Sequence, residues 1–200
     1  MDALSILALA MQCVTAAPAP VVAALAIAES GGSAYSVNIA GERTDLGDFD
    51  GAVQTVALSL VEGSAVKIGM AGVPVAAFDE RGVSYTDGFS ACHNLRIAGE
   101  VLREKWQLYG GLDQHWRLAV LEYGTGEPGI EGPFAERFDA ASEQLAVAAA
   151  ELTQPNGSQQ GEPDPAEQAP PPAPPSADRA DANWDVYSRD QSRSLLIFSR

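Results

Sequence analysis

Eight of the chain's 13 prolines lie between Pro155 and Pro175, in a stretch that contains APPPAPP. Proline fixes φ and has no backbone N–H, so neither a helix nor a central strand can run through such a segment. Its other residues are mainly Gln, Glu, Ala and Ser, which offer no core to offset the entropy of ordering. The segment therefore bounds what can fold. A domain is expected over residues 1–153, a disordered, polyproline-like linker over 154–183 and a short tail over 184–200. The tail, WDVYSRDQSRSLLIFSR, is again aromatic and aliphatic. It reads either as an unstructured terminus or as a peptide that docks on a partner.

Charge narrows the partners. The chain carries 12 Lys and Arg against 27 Asp and Glu, a net charge of −15. Residues 1–150, 151–183 and 184–200 contribute −11, −5 and +1. Such a chain repels phosphate backbones, so no nucleic acid is expected as a partner. A ligand must be held by hydrogen bonds and stacking, or bring positive charge of its own. No run is long and apolar enough to span a bilayer, so no membrane span is expected. The opening MDALSILALAMQCVTAAPA imitates a secretory signal but has Asp2 where a basic region belongs, so a signal peptide is not evident. Leu4, Leu7, Ala8 and Met11 recur there at helical spacing, which predicts a first helix.

Helical periodicity dominates the rest. Val21, Val22, Leu25 and Ala28 share a face after Pro18 and Pro20, and Ala52, Val53, Val56, Ala57, Leu60 and Val61 form a second stripe ended by Gly63. Residues 92–108 predict an amphipathic helix with Leu95, Ala98, Leu102 and Trp106 inside, and 115–123 a short apolar one. A last helix is expected from Pro133, with Phe134, Phe138, Ala141, Leu145, Ala148 and Leu152 inward. Between them, GERTDLGDFDG at 41–51 reads as a surface loop. VKIGMAGVPVAAF at 66–78, broken by Gly69, Gly72 and Pro74, reads as a buried connecting segment that is neither good helix nor good strand. The fold class is mainly α.

Candidate chemistry centres on LAIAESGGSAYS at 25–36, where an apolar helix stops on Glu29. An acid in a last helical turn meets the negative end of the macrodipole. With apolar neighbours and no cation beside it in sequence, that field would raise its pKa, as a general acid near neutral pH requires. The plain alternative is an exposed helix-end acid before a glycine stop. Cys13 and Cys92 read as two buried thiols in a cytosolic chain, or as one bridge in an exported one. They do not complete a zinc set with His93 and His115. Asp45, Asp48 and Asp50 lack the glycine and distal Glu of a calcium loop. No metal and no cofactor are expected.

Four pieces in order, AES at 28–30, GMAGV at 69–73, CHNLRIAGEVL at 92–102 and EYGTG at 122–126, resemble the lytic transglycosylases of bacterial type IV secretion and conjugation machines. The resemblance runs from about Leu4 to about Leu145, and WDVY at 184–187 is similar to the tail of some members. It implies a lysozyme-like helical domain with two lobes around a glycan groove. The family cleaves the β-1,4 bond between N-acetylmuramic acid and N-acetylglucosamine without water, leaving a 1,6-anhydro sugar. Glu29 would be the catalytic acid and then base, and one carboxyl suffices because the substrate's N-acetyl group assists.

Ser30 either orients Glu29 or, as a serine at a helix C-terminus, bonds its own backbone, and Tyr123 either places its hydroxyl near the acid or the acetamido group or is a core aromatic with its polar tip satisfied. By the same resemblance Met70, Gly72, Tyr123 and Gly124 would line or position the substrate. Gly72 and Gly124 stand where the family has Gln and Asn. Each lost amide is expected to cost about 1–3 kcal/mol, roughly ten- to a hundredfold in rate. Tyr35 and Tyr85 are weaker sugar-stacking candidates, and Trp106 and Trp116 are expected in the core. The implied setting is the periplasm of a Gram-negative bacterium, with peptidoglycan strands as substrate, type IV secretion components as partners of residues 184–200, and a monomeric state. In that compartment a Cys13–Cys92 disulfide is implied. The alternative function is a catalytically weakened wall-binding assembly factor, and a water-using muramidase would need a second acid.

Overall fold

The computed structural model describes residues 1–153, with side chains through residue 150. The expected linker at 154–183 and the tail at 184–200 lie outside the described residues. The described part is mainly helical, with a small sheet between the second and fourth helices. None of its helices is long and apolar enough to cross a membrane.

Helix α1 (Ala3–Cys13) starts on Asp2, whose carboxylate accepts from the Ser5 N–H at 2.9 Å. Its inward face is Ala3, Ile6, Ala10 and Cys13. This corrects the expected stripe by one position: Met11 is 69% exposed. Helix α2 (Ala19–Ser30) is buried over Val22–Ala26, Ala28 and Glu29, on all sides rather than along a stripe, as befits the central helix of a domain. It packs against α1, against α5 (Ala91–Leu108) and α6 (Trp116–Thr125), and most extensively against α7 (Pro133–Thr153). On α7, Phe134, Phe138, Ala141 and Leu145 face in. A disulfide between Cys13 and Cys92 joins the end of α1 to the first turn of α5.

The stretch 41–51 lies at the surface, as expected, but it is not a loop. It holds β2 (Glu42–Asp45), paired antiparallel with β1 (Ser36–Ile39), and the start of α3 (Phe49–Val61). The hairpin turn is Ala40–Gly41, with φ of 51° and 95°. Positive φ at both central residues is the turn geometry that matches strand twist. The buried segment at 66–78 also resolves into regular elements: β3 (Val66–Ile68), β4 (Val73–Pro74) and α4 (Val75–Asp79). The sheet order is β2-β1-β3-β4, all antiparallel, and α3 packs on β1 and β3. In this register Asn38 pairs with Arg43 on one side and with Lys67 on the other. Residues directly opposite on neighbouring strands point to the same sheet face. Two cations and an amide therefore stand in one row.

Candidate active site

Helix α2 ends where Gly31 takes φ 68° and its N–H closes on the Ile27 carbonyl at 2.8 Å. That stop leaves Glu29 in the last turn, 7% exposed. It is the one carboxylate side chain in the buried core among the described residues. The carboxyl lies at the floor of a cleft of about 310 Å³ lined by Glu29, Asn38, Gly41, Arg43 and Arg137. A groove of about 340 Å³ between Leu7, Val21, Phe138 and Leu145 is apolar and contains no titratable side chain, so the polar cleft is the better candidate for chemistry.

The cation-free surroundings expected for Glu29 are not what the fold makes. Lys67, from β3, places Nζ 3.4 Å from Glu29 Oε1. The same ammonium donates to the Tyr123 and Gly124 carbonyls at 3.0 and 2.9 Å. Arg43 donates from Nη1 to the Glu29 backbone carbonyl at 3.0 Å, and Arg137 from Nε to the Ala28 carbonyl at 3.1 Å. Both arginines thus satisfy carbonyls that a helix end leaves without partners, where cations also meet the macrodipole favourably. Burial pushes the Glu29 pKa up, against the pull of Lys67, Arg137 and Arg43. Burial disfavours the charged form while three cations favour it, so protonated and ionised Glu29 are brought closer in energy than either influence alone would leave them.

The glycine-rich turn behind the acid is held by Asn94, fully buried on α5. Its Oδ1 accepts from the Ala71 N–H at 2.7 Å, and its Nδ2 donates to the Ile68 and Gly88 carbonyls at 2.8 and 2.9 Å. Tyr123 ties the same turn, donating from its hydroxyl to the Ala71 carbonyl at 3.0 Å. The turn brings Gly72, at φ 58°, against Glu29: a Cβ there would lie 2.8 Å from the carboxyl carbon. The expected substrate-positioning amide has no room at this position. Nor has it at Gly124, where a Cβ would run into the Phe134 ring.

The remaining candidates separate clearly. The Ser30 hydroxyl does not orient Glu29. It donates to the Ala26 carbonyl at 3.1 Å and accepts from the Gly32 N–H at 3.0 Å, since a helical serine reaches the carbonyl four residues back. Met70 is fully buried and packs in the core. Tyr123 is 4% exposed, and burial together with Glu29 raises its pKa well above the usual phenol value. Tyr35 packs near Phe89, with ring centroids 6.4 Å apart. Trp106 and Trp116 stack on each other at 4.8 Å, half-buried rather than within the core. Asp45 and Asp48 bond backbone N–H groups at the start of α3, and no group of acids, histidines or cysteines suited to a metal occurs among the described residues.

Lys67, Arg43, Arg137 and Asn94 escaped the sequence reading as site residues. Lys67 alone left a signal, as the one charge inside the apolar run VKIGMAG. Set against models of known protein families, curated proteins and solved structures, the chain matches none of them.

Proposed function

We propose that the chain is a peptidoglycan lytic transglycosylase with Glu29 as its acid and base. The observation that carries this reading is a buried carboxyl, the sole one lining a polar cleft among the described residues, with its pKa raised by burial. The order of the four motifs supports it. Protonated Glu29 gives its proton to the glycosidic oxygen as the bond to the anomeric carbon breaks. The substrate's N-acetyl carbonyl oxygen attacks that carbon. The Glu29 carboxylate then takes the proton from O6, whose oxygen displaces the acetamido group and closes the 1,6-anhydro ring. Lys67 stabilises the carboxylate between the two steps, which lets one residue serve in both roles. A hydrolase with two carboxylates would need a second acid 5–10 Å away, roughly, across the scissile bond, and the cleft lining supplies none. In the cell, the reaction would open the periplasmic wall for a type IV secretion or conjugation apparatus, with residues 184–200 as the segment that meets it.

A second reading is favoured by a specific observation. The positions of the two expected amides are closed, at Gly72 by the Glu29 carboxyl and at Gly124 by Phe134. A wall-binding assembly factor that keeps the acid without turnover fits that fact. Digestion of purified sacculi by the full chain separates the two. The transglycosylase should release anhydro-muropeptides, and Glu29→Gln should abolish the release. Equal, negligible release by both proteins would leave the assembly factor, and products with a reducing muramic acid would mean hydrolysis. Deleting 184–200 should spare sugar cleavage while weakening transport.

A further inference from the structure

We propose that Arg43 and Arg137 form a carboxylate-binding subsite beside Glu29, which selects glycans bearing carboxylates over neutral glycans of the same length. This rests on the glycan reading above and adds to it a substrate preference. Both guanidiniums line the cleft, arriving from β2 and α7. Each is fixed by one N–H on a carbonyl of the last turn of α2, Arg43 on Glu29 at 3.0 Å and Arg137 on Ala28 at 3.1 Å. A guanidinium has five N–H donors, so anchoring by one leaves the remainder for a ligand. A planar, pre-positioned fork suits a carboxylate better than a hydroxyl.

Charge bookkeeping supports the assignment. In a chain with a net charge of −15, Arg81, Lys105 and Arg117 are all paired with acids. Arg43 and Arg137, like Arg96 and Arg103 on α5, have no ion pair among the described residues, and of these four they alone line the cleft. The only acid lining their cleft is Glu29, and its burial favours the neutral form. The cleft is thus locally cationic on an acidic molecule, and low-dielectric walls concentrate such a field.

Occupation would also act on the acid. The groups around Glu29 are Lys67 from β3, Arg43 from β2, Arg137 from α7 and Tyr123 from α6. A carboxylate between the two arginines offsets their field, which favours protonated Glu29 once substrate is bound.

The test uses full-length Glu29→Gln, so that the probe is not consumed, and isothermal titration at low and high salt. The probes are a tetrasaccharide alternating N-acetylglucosamine and N-acetylmuramic acid with free lactyl carboxylates, its methyl ester, and the same sugar carrying stem peptides. The free acid or the peptide-bearing probe should bind about ten- to a hundredfold more tightly than the ester, with the margin shrinking as salt rises. An advantage for the free acid places the recognised charge on the sugar, and one confined to the third probe places it on the peptide. Adding Arg43→Gln or Arg137→Gln should erase most of the margin, the charged probes losing far more affinity than the ester. Arg43 sits on an exposed strand, so its variant reads out even if Arg137→Gln fails to fold. Equal affinity for charged probes and ester, no binding of any probe, or an equal loss for all of them in the arginine variants overturns the subsite. Cleavage of sacculi by wild type without discrimination would remove the subsite alone. Discrimination without cleavage would remove the catalytic reading alone.

Discussion

Lys67 clamps Glu29 to helix α6: one ammonium lies 3.4 Å from the carboxylate and donates at 3.0 and 2.9 Å to the carbonyls of Tyr123 and Gly124. The clamp is half-buried, and its removal takes a cation from the acid and a donor from two carbonyls.

Lys67→Met should therefore move the pH profile of sacculus digestion. Without the ammonium, the main influence lowering the Glu29 pKa is gone and the pKa rises further. The limb of kcat/KM that requires protonated Glu29 shifts to higher pH, because the carboxylate that acts as base is formed only by the first proton transfer. A stability loss of about 1–3 kcal/mol in urea should accompany the change. A profile superimposable on wild type would show that the clamp does not tune the acid.

Glu29→Gln should stabilise the fold at neutral and higher pH. The folded pKa of Glu29 lies above the ordinary carboxyl value of 4.5 because of burial. Folded protein then holds a proton that the unfolded chain releases, so this group's contribution is intact below the unfolded pKa and is lost as pH rises through the folded one. Glutamine has no such dependence. The difference in Tm between variant and wild type should grow from near zero at pH 4 to a plateau above the folded pKa. A difference independent of pH would mean that folding leaves the carboxyl's pKa where the unfolded chain has it.

Gly72→Ala tests the close approach. An L-residue at φ 58° costs about 1–2 kcal/mol. Contact of its Cβ with the Glu29 carboxyl, at 2.8 Å, adds an overpacking cost of about 1–3 kcal/mol. Urea denaturation should show the sum, with activity falling more than stability requires because the carboxyl is displaced. A neutral substitution would mean that the turn yields freely.

The disulfide spans 79 positions. On the chain-entropy model a loop of that length is worth about 4–5 kcal/mol. Cys13→Ser with Cys92→Ser should lower the denaturation midpoint accordingly, and wild type should show no titratable thiol when unfolded without reductant. Two reactive thiols there would refute the bridge.

The longer helices were legible because each carries enough turns for a stripe to repeat, as in Leu95, Ala98 and Leu102 or Phe134, Phe138, Ala141 and Leu145. The stripe expected on α3 was too wide, since Ala57, Leu60 and Val61 are exposed and Ser59 is buried in their place, and the five-residue α4 was too short to show one. The sheet was not. Its strands are two to four residues long, and β2, all exposed, has no apolar face to alternate. The helix end at Glu29 could be read from the glycines that follow it. Its electrostatic company could not. Arg43 and Lys67 lie 14 and 38 positions downstream, and Arg137 reaches Ala28 across 109. Only pairing in the sheet and packing of the last helix bring them together. Ser30 could be read two ways, since its place in sequence allowed either Glu29 or its own helix as partner, and the carbonyl four residues back took its hydroxyl.

Because α2 is enclosed on nearly every side, Glu29 sits on a part of the molecule that can hardly be redrawn. The strands facing it are a different matter, since β2 lies on the rim and starts from a tight hairpin. If Glu29 is the proton donor proposed above, reactivity and the part of substrate choice that Arg43 carries would be written on separate pieces of chain. A lineage, or an engineer, could then rewrite the rim one residue at a time while the acid stays where the core keeps it.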